Sequence, residues 1–140
     1  VASLGRARNA LRQQTSLDGD YLNLSASYLL VPTALETVAQ QYVALVQPQQ
    51  AGNVNPFQGT LQVIAEPRLD ANSTQAWYLA AAVSLVDIIE LCYLEGEEGP
   101  MVESRVGFDV DGLEIKARLD VAAKIIDWRG LHKDPGENVS

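Results

Sequence analysis

The chain has 140 residues, 47% hydrophobic and 20% charged, the balance of an ordinary folded chain with enough length for a hydrophobic core. Eighteen acids against 10 Lys and Arg leave a net charge of -8, a surplus that argues against a nucleic-acid-binding surface, since phosphate affinity comes from clustered Lys and Arg. One cysteine, Cys92, excludes an internal disulfide, and neither a signal-peptide pattern nor an apolar run long enough to span a bilayer is present.

The charge is polarised along the chain. Nine acids lie between Asp87 and Glu114 with Arg105 as the one base, whereas Arg6, Arg8 and Arg12 precede the first acid, Asp18. Such a molecule can pair head to tail with copies of itself, and the competing reading is solvated surface at both ends. The chain starts at Val1, inside a helical pattern, which points to a piece of a longer polypeptide.

Leu4, Ala7, Ala10 and Leu11 recur at helical spacing and predict a helix over residues 3–14, broken at Gly19. Tyr28, Leu29, Leu30 and Val31 form an apolar run of strand type that stops at Pro32. Thr33 and Glu36 have the spacing of a capping box, and the helix they would open puts Leu35, Val38, Ala39, Tyr42 and Val46 on one face. A Pro-, Gln-, Asn- and Gly-rich loop follows over 47–58. Leu61, Val63 and Ala65 then alternate as a strand ended by Pro67, and Trp77, Tyr78 and Leu79 restart the pattern.

Residues 88–94, apolar on both faces, read as an interior strand, and 95–99 as a charged loop. Phe108, Asp109 and Val110, then Asp111-Gly112, then Leu113 onward spell a hairpin with a two-residue turn. In its second arm Leu113, Ile115, Ala117 and Leu119 face one way and Glu114, Lys116, Arg118 and Asp120 the other, with 121–128 continuing the sheet. The expected fold class is α+β, helices on a mainly antiparallel sheet.

Chemistry is scarce. His132, the single histidine, falls in a polar C-terminal stretch with no predicted element to hold it, and no serine sits in a strained nucleophile elbow. Cys92 reads as a small core hydrophobe. Asp109, Asp111, Gly112 and Glu114 share part of a calcium-loop spacing, but the third ligand before the glycine and the acid about six residues beyond it are missing. No catalytic residue, metal site or cofactor is therefore expected. The candidate contact residues are Glu95, Glu97 and Glu98 in the acidic loop and Arg6, Arg8 and Arg12 in the first helix, all read as inter-subunit positions.

Several segments taken in order are similar to the major head subunit of tailed phages of the Mu-like type, nearest to the group of prohead protease–major capsid fusion proteins. They are Tyr28-Leu-Leu-Val-Pro32-Thr-Ala-Leu-Glu36, Val54-Asn-Pro-Phe-Gln-Gly59, Val63-Ile-Ala-Glu-Pro-Arg-Leu-Asp70, Trp77-Tyr-Leu79, Tyr93-Leu-Glu-Gly-Glu-Glu-Gly-Pro100, Gly107-Phe-Asp-Val-Asp-Gly112, Lys116-Ala-Arg-Leu-Asp120 and Asp127-Trp-Arg-Gly130. The resemblance implies the C-terminal part of a Hong Kong 97-type subunit: residues 1–24 at a domain junction, 25–104 as the axial-domain core, 105–130 as strands returning to the peripheral domain, and 131–140 as a polar tail. The long helix and clasping arm of that fold would lie upstream, as would any protease region. The implied function is a structural shell subunit, not an enzyme. Its partners would be copies of itself in pentamers and hexamers and the upstream part of the same polypeptide, with no nucleic acid and no membrane. It would reside in the virion, and in the bacterial cytoplasm before assembly. The rival readings are another virion part, such as a head–tail connector or tail-tube protein, and a fragment of a small acidic hydrolase.

Overall fold

Apolar spacing decides the first element, and the computed structural model, which describes residues 2–44, 59–107 and 111–136, shows it as helix α1 (Ala2–Arg12). Its Leu4, Ala7 and Leu11 are all buried, so the 3–4 spacing does mark the inward stripe. The helix leads into a tight reversal in which the Ser16 N–H donates to the Asp20 carbonyl at 2.8 Å and Gly19 takes φ +91°, a left-handed turn open to glycine. The chain forms two compact units, one from residues 1–88 with 127–140 and one from residues 89–126.

The first unit is built on a four-stranded sheet. Its strands are β1 (Ala26–Val31), β2 (Gln62–Ala65), β3 (Trp77–Ala81) and β8 (Leu131–Asp134), in the spatial order β2-β1-β3-β8. β3 runs antiparallel to both β1 and β8, but β2 runs parallel to β1 with Val31 beside Ala65. The sheet is thus mixed and not simply antiparallel. A parallel pair needs a crossover, and helix α2 (Glu36–Val43) lies in it. Leu29, Val31 and Leu79 from the sheet, Leu4 and Ala7 from α1, Ala39 from α2 and Leu61 form one buried cluster. Leu11, Leu24, Ala80, Ala81 and Ile88 form another.

The start of α2 differs from the capping-box reading. Pro32 leads into a 3-10 turn, Thr33–Leu35, with no side-chain cap of its own. Its cap arrives from 37 residues away: the Asp70 carboxylate accepts from the Thr33 hydroxyl at 2.6 Å, from the Thr33 N–H at 2.9 Å and from the Ala34 N–H at 3.4 Å. Glu36 instead accepts from the Gln40 side chain at 3.0 Å, one helical turn on. Asp70 is held in place by α3 (Pro67–Asp70), a short helix with Pro at its start and Glu66 as its N-cap. Glu66 accepts from the Arg68 N–H at 3.1 Å and from its guanidinium at 2.8 and 2.9 Å. Those side-chain and backbone bonds from Arg68 hold the Glu66 carboxyl down at about 2.

The inward face of α2 also needs correction. Ala39 is buried and Leu35 and Val43 half-buried, but Val38 and Tyr42 are 44% and 40% exposed. Val46 and the loop over 47–58 lie outside the described residues. At the other end of the chain, Leu131–Asp134 is not a polar tail but the edge strand β8, and it places His132, half-buried, opposite Leu79. The 3-10 turn before it, Trp128–Gly130, is capped by Asp127, which accepts from the Arg129 N–H at 2.9 Å.

The second unit consists of β4 (Ile89–Tyr93), β5 (Met101–Val106), β6 (Leu113–Arg118) and β7 (Val121–Ile125). Among the described residues β4 pairs only with β7 and β5 only with β6, both antiparallel, as a two-stranded ribbon. The segment read as an interior strand is therefore an exposed one, and Cys92 within it is exposed instead of being a core residue. Val106 pairs with Leu113, and the Gly107 N–H donates to the Gly112 carbonyl at 2.9 Å. This register rules out a two-residue turn at Asp111-Gly112; residues 108–110, expected as its first arm, lie outside the described residues. The expected boundary between residues 104 and 105 falls within strand β5.

Three tests follow from these contacts. A Cβ built on buried Gly130 would lie 2.5 Å from Ile88 Cγ1 and 2.7 Å from Val86 Cγ1, and Ile88 is itself only 6% exposed. Gly130→Ala should therefore cost about 1–3 kcal/mol in denaturant melts through overpacking. Thr33→Ala and Asp70→Ala should each lower stability, and their double mutant should lose less than the sum, because both remove one contact. The Thr33 hydroxyl, then the Thr33 N–H, depress the Asp70 carboxyl below its ordinary value, so this contact contributes stability above that value and loses it as pH falls through the lower, folded one. The acid-induced loss of melting temperature should be smaller in Asp70→Asn than in the parent; identical pH profiles would show that Asp70 makes no such contact.

Candidate assembly surfaces

Strand alternation gives the ribbon two chemically distinct faces. Ile89, Leu91 and Tyr93 of β4 share a side with Val121, Ala123 and Ile125 of β7. Val102, Ser104 and Val106 of β5 likewise share a side with Leu113, Ile115 and Ala117 of β6. Every residue of the four strands is exposed, including Val106 at 78% and Ile115 at 67%. The other side carries ion pairs. Lys116 Nζ lies 2.8 Å from Glu103, Arg105 meets Glu114, and Arg118 binds Glu97 and reaches Asp120 at 3.4 Å. Cross-strand pairs of this kind contribute modestly, but they match each charge locally. Lys116, through its hydrogen bond first and its charge second, holds the Glu103 carboxyl below its ordinary value.

The expected contact residues divide between the units. Glu95, Glu97 and Glu98 occupy the turn between β4 and β5, where the Glu97 N–H donates to the Leu94 carbonyl at 2.9 Å and Gly96 takes φ +81°. Glu97 is tied to Arg118 of the same chain, while Glu95 and Glu98 are exposed. Arg6 and Arg12 are exposed on α1 and Arg8 is half-buried; Arg12 donates to Asn23 Oδ1 at 3.4 Å and, in the last turn, faces the negative end of the helix dipole.

Beside α1, the first unit has an apolar groove of about 390 Å³ lined by Leu4, Leu29, Val31, Leu35, Val38, Tyr42 and Trp77. Val38 and Tyr42, the part-exposed members of the α2 face, line it together with core-facing Leu35 and Ala39. Its lining holds no pairing of acid, base and nucleophile of the kind catalysis requires. Among the described residues no group of three or more His, Cys, Asp or Glu side chains could hold a metal ion, and no helix is long and apolar enough to cross a membrane. Glu114 of the partial calcium spacing is engaged by Arg105, and Asp109 lies outside the described residues.

Strand β5, which supplies half of the apolar face beside β6, is the element not expected from the sequence. Its signal was present in Met101 to Val106, where Glu103 and Arg105 sit at the alternate positions that complement Lys116 and Glu114 across the pair. Lys116→Gln should let the Glu103 carboxyl rise toward its ordinary range in an NMR titration; a midpoint unmoved by the change would show that the pair does not form.

No curated protein and no solved structure matches this chain. A family model described as phage capsid protein matches residues 1–133, from α1 to the third residue of β8. On that extent the chain belongs to the phage capsid protein family, a structural and non-catalytic class.

Proposed function

We propose that this chain is a subunit of the icosahedral head of a tailed phage or prophage, assembling through lateral contacts with copies of itself into pentamers and hexamers. The observation that carries the reading is the phage capsid family match across residues 1–133. The finer assignment, to Mu-like head subunits with a Hong Kong 97-type fold, is supported by the ordered motif segments. It makes residues 25–104 the axial part and 105–130 the returning strands, joined through the shared β5–β6 pairing. The upstream part of the same polypeptide would complete the subunit, which would pass from the bacterial cytoplasm into the virion.

In a ring every surface patch recurs around the axis, so exposed charge must meet either its own kind or an opposite patch on the next copy. The acidic turn with Glu95, Glu97 and Glu98 and the basic helix with Arg6, Arg8 and Arg12 offer such an opposite pair. Glu97 would contribute indirectly, through Arg118, which it already binds.

Expression of the full-length subunit followed by electron microscopy tests the reading. Closed shells are expected; rings of one symmetry or open tubes would overturn it in favour of a connector or tail-tube role. Changing Glu95 and Glu98 together to Gln should shift the ionic strength at which shells form, because screened charge contributes to their contacts. An assembly curve identical to the parent's across salt concentrations would make the acidic turn mere solvated surface.

A further inference from the structure

A two-stranded ribbon is marginal in water unless something covers its apolar side. In this chain β4–β7 and β5–β6 are each two strands wide; Arg118 and Asp120, two residues apart, meet at 3.4 Å on the charged side, which keeps one alternation from Leu113 to Ile125, and the opposite side presents Leu91 at 56% exposure, Leu113 at 63% and Ile115 at 67%. The nine large apolar side chains on it, each roughly half exposed or more, offer on the order of 1,000 Å² to a partner, where a stable interface needs roughly 800 Å² per side. A patch of this size exceeds the few hundred Å² that monomers usually leave open.

We propose that this face is a self-contact: two copies of the chain lay their ribbons together about a two-fold axis, apolar side on apolar side, as a four-stranded sandwich. A two-fold contact places a patch against itself, so the patch must be self-complementary. A charged patch would set like against like. This one carries no charged strand position, only the hydroxyls of Ser104 and Tyr93, and the charges of β5 and β6 pair among themselves on the opposite side. Two twisted pleated faces also pack on each other, at the usual sheet spacing of about 10 Å. The inference rests on the reading of the chain as a self-associating subunit and names one contact that subunit would use.

Residues 89–126 hold nine acids (Glu90, Glu95, Glu97, Glu98, Glu103, Asp109, Asp111, Glu114, Asp120) and four bases (Arg105, Lys116, Arg118, Lys124), so two ribbons repel at long range. Added salt should therefore tighten the dimer, the reverse of an ion-paired contact.

The native thiol provides the test, because Cys92 lies on the charged side, between Leu91 and Tyr93, whereas Ala123 lies on the apolar side opposite Leu91. The 140-residue chain and its Cys92→Ser/Ala123→Cys variant are reacted with a maleimide over a range of protein concentrations, alongside sedimentation. The Ala123→Cys thiol should become at least tenfold slower to react as the dimer forms, while Cys92 in the native chain reacts at one rate throughout. Ala123→Cys protection at every concentration would show the face covered within one chain, and fast reaction at every concentration would show it uncovered; either overturns the proposal. Ile115→Glu should weaken the dimer at least tenfold, with circular dichroism reporting the fold, and the thiol measurement decides even if that variant unfolds. A dimer that loosens in salt would also overturn it. Full-length subunits that form no shell would sink the shell reading without altering these solution results.

Discussion

Parallel pairing of β1 with β2 makes the chain leave the sheet twice at the same end, once after Val31 and again after Ala65. Two exposed turns are thereby brought side by side, each with backbone N–H groups in need of acceptors. The second turn answers the first: Glu66 fixes the short helix α3, α3 presents Asp70, and Asp70 caps the 3-10 turn that starts α2. The Glu66 N–H also donates to the Val31 carbonyl at 3.0 Å, which closes the register of the pair. The position of α2, and with it one wall of the apolar groove, depends on this tie between residues 37 apart.

The same economy of means recurs at the other end of the sheet. Asp127 repeats what Glu66 does, accepting from both the backbone and the guanidinium of the arginine two residues on. The turn it closes brings Gly130 hard against Ile88 and Val86 before the chain enters β8. The segments that resemble phage head subunits, Val-Pro-Thr near residue 32, Glu-Pro-Arg-Leu-Asp near 68 and Asp-Trp-Arg-Gly near 129, are thus turn-setting segments.

The ribbon follows another logic. Its charges are matched across the strands and its apolar side chains are gathered on the opposite face, so the unit is stable in the sense of local pairing but incomplete in the sense of burial. In the ribbon the polar groups are set out along one surface, with an apolar face behind them. That distribution suits a member of a structural family.

Local periodicity was enough to place α1 and its buried stripe, strands β1 to β4, and the alternating faces of β6, because each depends on neighbours within a turn or a strand. What lay beyond the sequence was decided by pairing at a distance. Thr33 and Glu36 have the spacing of a capping box, but Asp70, a stronger acceptor carried in by the parallel strand, takes the position instead. His132 looked like tail until β8 found the free edge of β3. Residues 88–94 have the composition of an interior strand, yet composition records only what a strand would bury and not whether a third strand arrives to bury it. Only the tertiary structure shows that none does among the described residues of this unit, which leaves Cys92 and Leu91 exposed on a two-stranded ribbon.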